Sequence, residues 1–159
     1  MALALAAFEL ACVAGGAAKS GLAASLALEP IMERGTPQQT QEYASRCKPA
    51  GPGEDRQTAR GAFCLTEPLP YVGVDTGILG GKVRIAHWEA GQEPHLKVEK
   101  RGRFISNMDF ANFVVAAVES DDPRIRGSCM VILEEGDQGT FDRGPVTHKL
   151  VHQLSSTRD

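Results

Sequence analysis

Phe63-Cys64-Leu65-Thr66-Glu67-Pro68 is an apolar run that closes on a hydroxyl, a carboxylate and a proline ring. A strand that only fills a core does not need that ending. Thr66 brings a hydroxyl that both donates and accepts, Glu67 an acceptor-only carboxylate, and Pro68 turns the chain outward. Farther on, Arg103-Phe104-Ile105-Ser106-Asn107 sets a second hydroxyl beside an aromatic ring. Other reactive groups are weaker candidates. His148 and His152 have the spacing of a helical metal pair, but the stretch reads as strand or loop and has no third ligand nearby, so no metal site is expected. Glu134-Glu135 could do acid–base work, yet it reads as an exposed strand end before the Gly136 turn. Cys64, between Phe63 and Leu65, points to the other face of its strand and reads as core. Trp88, the single tryptophan, reads as strand packing.

These stretches must be positioned by regular elements. The chain changes character near residue 50: Ala, Leu, Glu and Gln give way to β-branched residues, glycines and short alternating runs. This predicts an α+β protein, with N-terminal α-helices followed by a small antiparallel β-barrel or two-sheet domain. The expected division is residues 1–48 helical, 49–59 a polar linker rich in Pro and Gly, and 60–159 the β-domain. A first helix is predicted from Ala2 to Leu28 and stopped by Pro30, then a short turn from Ile31 to Arg34 capped by Gly35. Thr36-Pro37-Gln38-Gln39 reads as a capping box with proline at the first helical position, opening a helix to Arg46. Strands are predicted over 61–66, 82–88, 95–99, 104–106, 112–118, 128–134 and 147–153, separated by turn signals such as Gly80-Gly81 and Asp121-Asp122-Pro123. The runs 113–118 and 130–133 are nearly all apolar and are expected to be central strands.

The chain has 159 residues, roughly one domain's worth, and a net charge of -3 with acids and bases interspersed. No basic patch points to nucleic acid. The four cysteines are widely and irregularly spaced, which reads as reduced thiols, mostly buried, and not as a disulfide framework or zinc site. Leu10-Ala11-Cys12 resembles a lipoprotein cleavage site. However, no basic residue precedes the apolar stretch and Glu9 interrupts it, against the pattern of a signal peptide or membrane span. The expectation is a buried helix of a soluble, cytoplasmic protein.

FCLTEP, followed by Phe104-Ile105-Ser106-Asn107 and Ala111-Asn112-Phe113, resembles the acyl-CoA dehydrogenase family in order and separation. In that family an aromatic-x-aliphatic-Thr-Glu-Pro strand opens the middle β-domain and a Trp-Ile-Thr-Asn strand follows. The closing Ser155-Ser156-Thr157-Arg158 resembles the end of that domain. The resemblance implies an FAD-dependent acyl-CoA dehydrogenase, with the end of the N-terminal helical domain and most of the β-domain present. It implies that Leu65 offers backbone groups and Thr66 backbone and hydroxyl to the pyrimidine edge of the flavin, with Phe63 placing the strand. Ser106 would set a hydroxyl near flavin N5, and Phe104 would pack on the ring. Serine for threonine keeps the donor, whereas phenylalanine for tryptophan loses the indole N–H. Glu67 stays open between ionising near the flavin and stabilising its loop. Asp109 and Phe110 would shape the loop under the ring.

The resemblance also marks departures. The loop after Pro68 is longer than the family's Gly-Ala-Gly-Ser-Asp. If Asp75 aligns with the family's Asp, Val74 replaces a serine that touches substrate, so Val74 and Asp75 are the expected substrate-binding positions and a divergent acyl specificity is implied. The family's general base is a glutamate in a C-terminal helical domain that these residues do not include, so no catalytic residue is expected here. Implied partners are the acyl-CoA substrate, an electron-transfer acceptor and further copies of the chain in a homo-oligomer, without nucleic acid or membrane. The alternatives are a flavin-dependent monooxygenase on the same scaffold and a non-catalytic binding remnant.

Overall fold

The apolar run at Phe113 decides the architecture. A strand buried on both faces must have both edges paired and both sides covered, and β5 (Phe113–Ser120) has all of this, with Phe113 to Val118 each at most 2% exposed. A computed structural model describes residues 2–69, 78–134, 136, 142–148 and 156–158. Among the described residues seven strands follow two helices: β1 (Gly61–Cys64), β2 (Lys82–His87), β3 (His95–Glu99), β4 (Ile105–Ser106), β5, β6 (Ser128–Glu134) and β7 (Thr157–Arg158). Along one edge of β5, β1 runs parallel over 113–116 and β2 takes over, also parallel, at 119–120. Along the other edge β6 runs antiparallel over 113–119. β3 pairs antiparallel with β2, and β4 with β7 form a second sheet. The α+β plan with two sheets is as expected, with mixed pairing in the larger sheet.

β6 is not central, contrary to its apolar composition. It pairs only with β5 among the described residues, its sides are half-exposed, and Met130 is 49% exposed. β7 falls within the closing Ser156-Thr157-Arg158 stretch, and only an isolated bridge from Val146 to Arg158 stands near the strand expected at Thr147. The rest of that predicted strand, with His152, lies outside the described residues.

The helices cover one face of the sheet. α2 (Pro37–Cys47) has the capping box its sequence announces: Gln39 N–H donates to the Thr36 hydroxyl at 3.2 Å and Thr36 N–H to the Gln39 side chain at 2.9 Å. α1 (Ala2–Arg34) departs from expectation at three points. It runs through Pro30 to Arg34, and Gly35 N–H closes it on the Ile31 carbonyl at 2.9 Å. Proline costs the helix one hydrogen bond, but Ala27 and Ile31 on either side of it are packed under Tyr43, Phe113 and Val115, and that burial holds the turn helical. The helical backbone breaks instead at Ala14 (φ -148°, ψ 78°), next to Gly15-Gly16. Third, the helix is not buried throughout. Gly16, Ala18, Ala23, Ala27 and Ile31 face inward, whereas Leu3, Leu5, Phe8 and Val13 are exposed. By length and composition α1 also passes the test for a membrane-crossing helix.

Strand alternation splits the core in two. Ala62, Cys64, Val114, Ala116 and Val118 form one cluster with Val83 and Ile105, while Phe113 and Val115 form the other with α1 and α2. Each fully buried valine contributes roughly 1.5–3 kcal/mol over an exposed one.

Candidate functional site

The end of β1 is the pivot. Phe63 and Leu65 face the helices. Phe63 packs on the cluster around Phe113. Leu65 lines a cavity of about 490 Å3 between the last turn of α1 and β5–β6, together with Ile31, Leu79, Ala117 and Met130. Cys64 faces the other way and is buried, as expected, and burial pushes its thiol up to about 11. None of the four cysteines is paired; Cys12 is exposed and Cys47 and Cys129 are half-buried.

Thr66 stands where β1 meets the second motif. Its carbonyl accepts from Arg103 N–H at 2.9 Å, which draws Phe104–Asn107 alongside the strand end. The Thr66 N–H, the Thr66 hydroxyl and the Ser106 hydroxyl have no hydrogen-bond partner among the described residues. Phe104 is 51% exposed at φ 59°, a left-handed conformation uncommon for a non-glycine residue, and the Arg103 guanidinium lies 4.7 Å from its ring centre. Strained residues of this kind gather at functional sites. So Thr66, Phe104 and Ser106 come together on the strand-end side, while Phe63 and the Leu65 side chain belong to the helix side. Val74 and Asp75 lie outside the described residues, as does most of the loop that holds them.

Asn107 fixes this arrangement to the helix. It is buried at φ 68°, and its side-chain N–H donates to the Ser20 carbonyl of α1 at 2.8 Å. Asparagine tolerates the left-handed region where alanine does not. We expect Asn107→Ala to cost about 2 kcal/mol, the strain plus a buried hydrogen bond, and Asn107→Gly to cost less because glycine keeps the backbone. Urea unfolding of both variants checks the order; equal losses would exclude the backbone contribution.

Glu67 resolves as the loop-stabilising carboxylate. Its side chain is 3% exposed and accepts from Gly80 N–H at 2.6 Å, Gly81 N–H at 2.7 Å and Lys100 Nζ at 2.6 Å. Burial alone would push its carboxyl up, but the Lys100 ammonium and the two amides outweigh this and hold it below the ordinary range. A depressed folded pKa means stability that is present above the unfolded value, about 4.3, and is lost as pH falls through the folded one. Protection factors for Gly80 and Gly81 amide exchange should therefore stay flat near neutrality and collapse below about pH 4. A collapse already at pH 6 would contradict the pairing.

The remaining carboxylates near the motif are also engaged. Asp109 accepts from Ser156 and Arg158, and the Ser156 hydroxyl, ahead of the opposing burial, holds it below the ordinary range. Arg143 donates to the Met108 carbonyl at 3.1 Å, tying residues 142–144 to the same loop. Glu134 is not an exposed strand end: it takes hydrogen bonds from Tyr43 and Arg46 and pins α2 to β6, while Glu135 lies outside the described residues. Trp88 is 54% exposed past the end of β2, its indole N–H donating to Gln92 O at 2.9 Å, so it stabilises a turn instead of packing in the sheet. Lys100 is the residue that sequence reasoning passed over, because Lys100-Arg101-Gly102 has the composition of an exposed turn.

No protein-family model and no curated protein sequence matches the chain. Solved structures do. Butyryl-CoA dehydrogenase from Megasphaera elsdenii is 27% identical with a TM-score of 0.75, over 97% of this chain and 37% of that one. The structure described as an electron transferring flavoprotein of Acidaminococcus fermentans is 30% identical with a TM-score of 0.72, over 97% and 37%. Over almost its whole length the chain has the fold of the acyl-CoA dehydrogenases. Glutaryl-CoA dehydrogenase from Mycobacterium smegmatis, solved in complex with FADH2, shares the fold at 21% identity and a TM-score of 0.71, over 97% and 35%. The chain spans a little over a third of the length of these structures.

Proposed function

We propose that this chain forms the flavin-binding face of an FAD-dependent acyl-CoA dehydrogenase. The observation that carries the reading is the convergence of Thr66, Ser106 and Phe104 at the end of β1, with three donor groups unpartnered among the described residues and the Phe104 ring half-exposed beside the Arg103 guanidinium. A flavin edge presents carbonyl acceptors and an apolar ring, and these residues fit it. Thr66 N–H and hydroxyl would hold the pyrimidine edge, Ser106 would set its hydroxyl toward the ring centre, and Phe104 would cover a face of the ring. When bound, the flavin supplies hydride acceptance from the β-carbon of an acyl-CoA thioester. The protein's share is orientation and directed hydrogen bonds.

The α-proton requires a base that the strand-end carboxylates do not provide. Glu67 and Asp109 are both ion-paired and held below the ordinary range, which makes them poor proton acceptors. Neither of them is assigned as the base; Val74 and Asp75 are the proposed substrate-binding positions, and an acyl-CoA, an electron-transfer acceptor and further copies of the chain are the proposed partners. The flavin monooxygenase alternative shares the flavin face and dispenses with that base, and it predicts oxygen consumption instead of acyl-CoA-dependent acceptor reduction.

Titration of the purified chain with FAD should quench flavin fluorescence saturably, and acyl-CoA with an electron acceptor should give no turnover. Thr66→Val keeps the shape and removes the hydroxyl, so FAD affinity should fall about three- to tenfold, the worth of one hydrogen bond. Turnover by the chain alone would overturn the division of labour, and unchanged affinity in Thr66→Val would remove Thr66 from the site.

A further inference from the structure

The flavin-facing end of β1 is held from behind by a cation. Lys100 Nζ donates to the Leu65 carbonyl at 3.1 Å and to Glu67 at 2.6 Å, and its side chain is only 4% exposed. It reaches this position past Gly81, where a Cβ would stand 2.5 Å from Lys100 Cδ and 3.2 Å from a Glu67 oxygen. The Leu65 carbonyl and the Thr66 N–H are the two poles of one peptide unit. That unit is planar and trans, so fixing its carbonyl fixes its N–H in the opposite direction. The next carbonyl, of Thr66, is fixed by Arg103 N–H at 2.9 Å. Both peptide planes flanking Thr66 are thus set, and the Thr66 N–H, unpartnered among the described residues, points away from Lys100.

We propose that Lys100, anchored by Glu67, is a positioning residue that aims the Thr66 backbone N–H at the carbonyl edge of the flavin. It acts through the Leu65–Thr66 peptide and touches no ligand itself. A hydrogen bond from an ammonium to the carbonyl also polarises the amide and strengthens its N–H as a donor. Surface lysines do not have this effect: Lys82, with Glu119 at 2.7 Å on the same sheet, is 41% exposed and touches no strand-end peptide. The inference rests on the flavin reading above and adds a residue that the sequence motif does not contain.

The test uses the full chain titrated with FAD, read by flavin fluorescence, by the flavin absorption spectrum and by Thr66 amide exchange. Lys100→Met should weaken FAD binding about tenfold or more, the loss of a charge-assisted hydrogen bond behind the donor. Because that variant leaves Glu67 charged and buried without its cation, Lys100→Met/Glu67→Gln is made beside it to restore a neutral interior. The double variant should regain the wild-type circular dichroism yet keep the weakened binding, a shifted flavin absorption band and loss of the FAD-induced slowing of Thr66 exchange. Lys82→Met should leave all three unchanged. Wild-type affinity and spectrum in the double variant would overturn the proposal, and so would an equal loss in Lys82→Met. If the wild-type chain itself bound no FAD, the functional reading would fall first and this inference with it.

Discussion

Phe113→Ala is expected to lower the unfolding free energy by about 3–5 kcal/mol, the range for emptying a large buried aromatic site. Three elements meet on this ring. It is 1% exposed, stands 4.9 Å from the Tyr43 ring at an interplanar angle of 57°, and packs with Ala27 and Ile31 of α1. The tilted pair adds to the area term, and collapse around a smaller residue is resisted because Tyr43 is tied by its hydroxyl to Glu134. A domain of this size has about 5–15 kcal/mol in total, so the variant should sit near the edge of folding. Urea titration followed by circular dichroism measures the loss, and a loss under 1 kcal/mol would mean that the helices do not dock on β5 through this ring.

Much of this was legible in the sequence because it follows from local rules. Thr36 and Gln39 cap α2 as their types demand, the apolar run at Phe113 is the central strand, and Cys64 turns to the opposite face from its neighbours. What was hidden depends on contacts far along the chain. Pro30 is tolerated because Ala27 and Ile31 are buried against Phe113 and Val115, residues far along the chain that no local signal near Pro30 announces. β6 has the composition of an interior strand but holds an outer place among the described residues, since composition does not say how many neighbours a strand will find. Glu67 was open between two roles because its decisive partner, Lys100, sits in a charged turn whose composition announces solvent.

Thr-Glu-Pro at the end of β1 now has a division of labour. Glu67 points inward and closes the chain between positions 67 and 81 through the Gly80 and Gly81 amides. That leaves Thr66 with its two donors unpartnered among the described residues, between a fixed strand and a fixed turn. The arrangement is preorganised, which is how a site spends little ordering entropy on a ligand. The Asn107 bond to Ser20 extends the same rigidity to α1, so the two motifs and the helix form one support.

Gly61→Val is the second large effect expected, about 3 kcal/mol, at the upper end for overpacking a filled core. A Cβ at position 61 would stand 2.6 Å from Ala27 Cβ and 2.6 Å from Phe113 Cζ, with Cε2 at 2.9 Å, so helix and ring would both have to move. The shift would be passed along β1, because Gly61 is in register with Phe113 and Cys64 with Ala116 on the same parallel pair. FAD affinity should therefore fall together with stability, although position 61 is not at the strand end. Phe113→Leu alone should cost less than Phe113→Ala, and combined with Gly61→Val it should recover part of the loss by removing the ring atoms that clash. Additive losses in the double variant would show that the helix contact at Ala27, and not the ring, is what excludes a side chain at position 61.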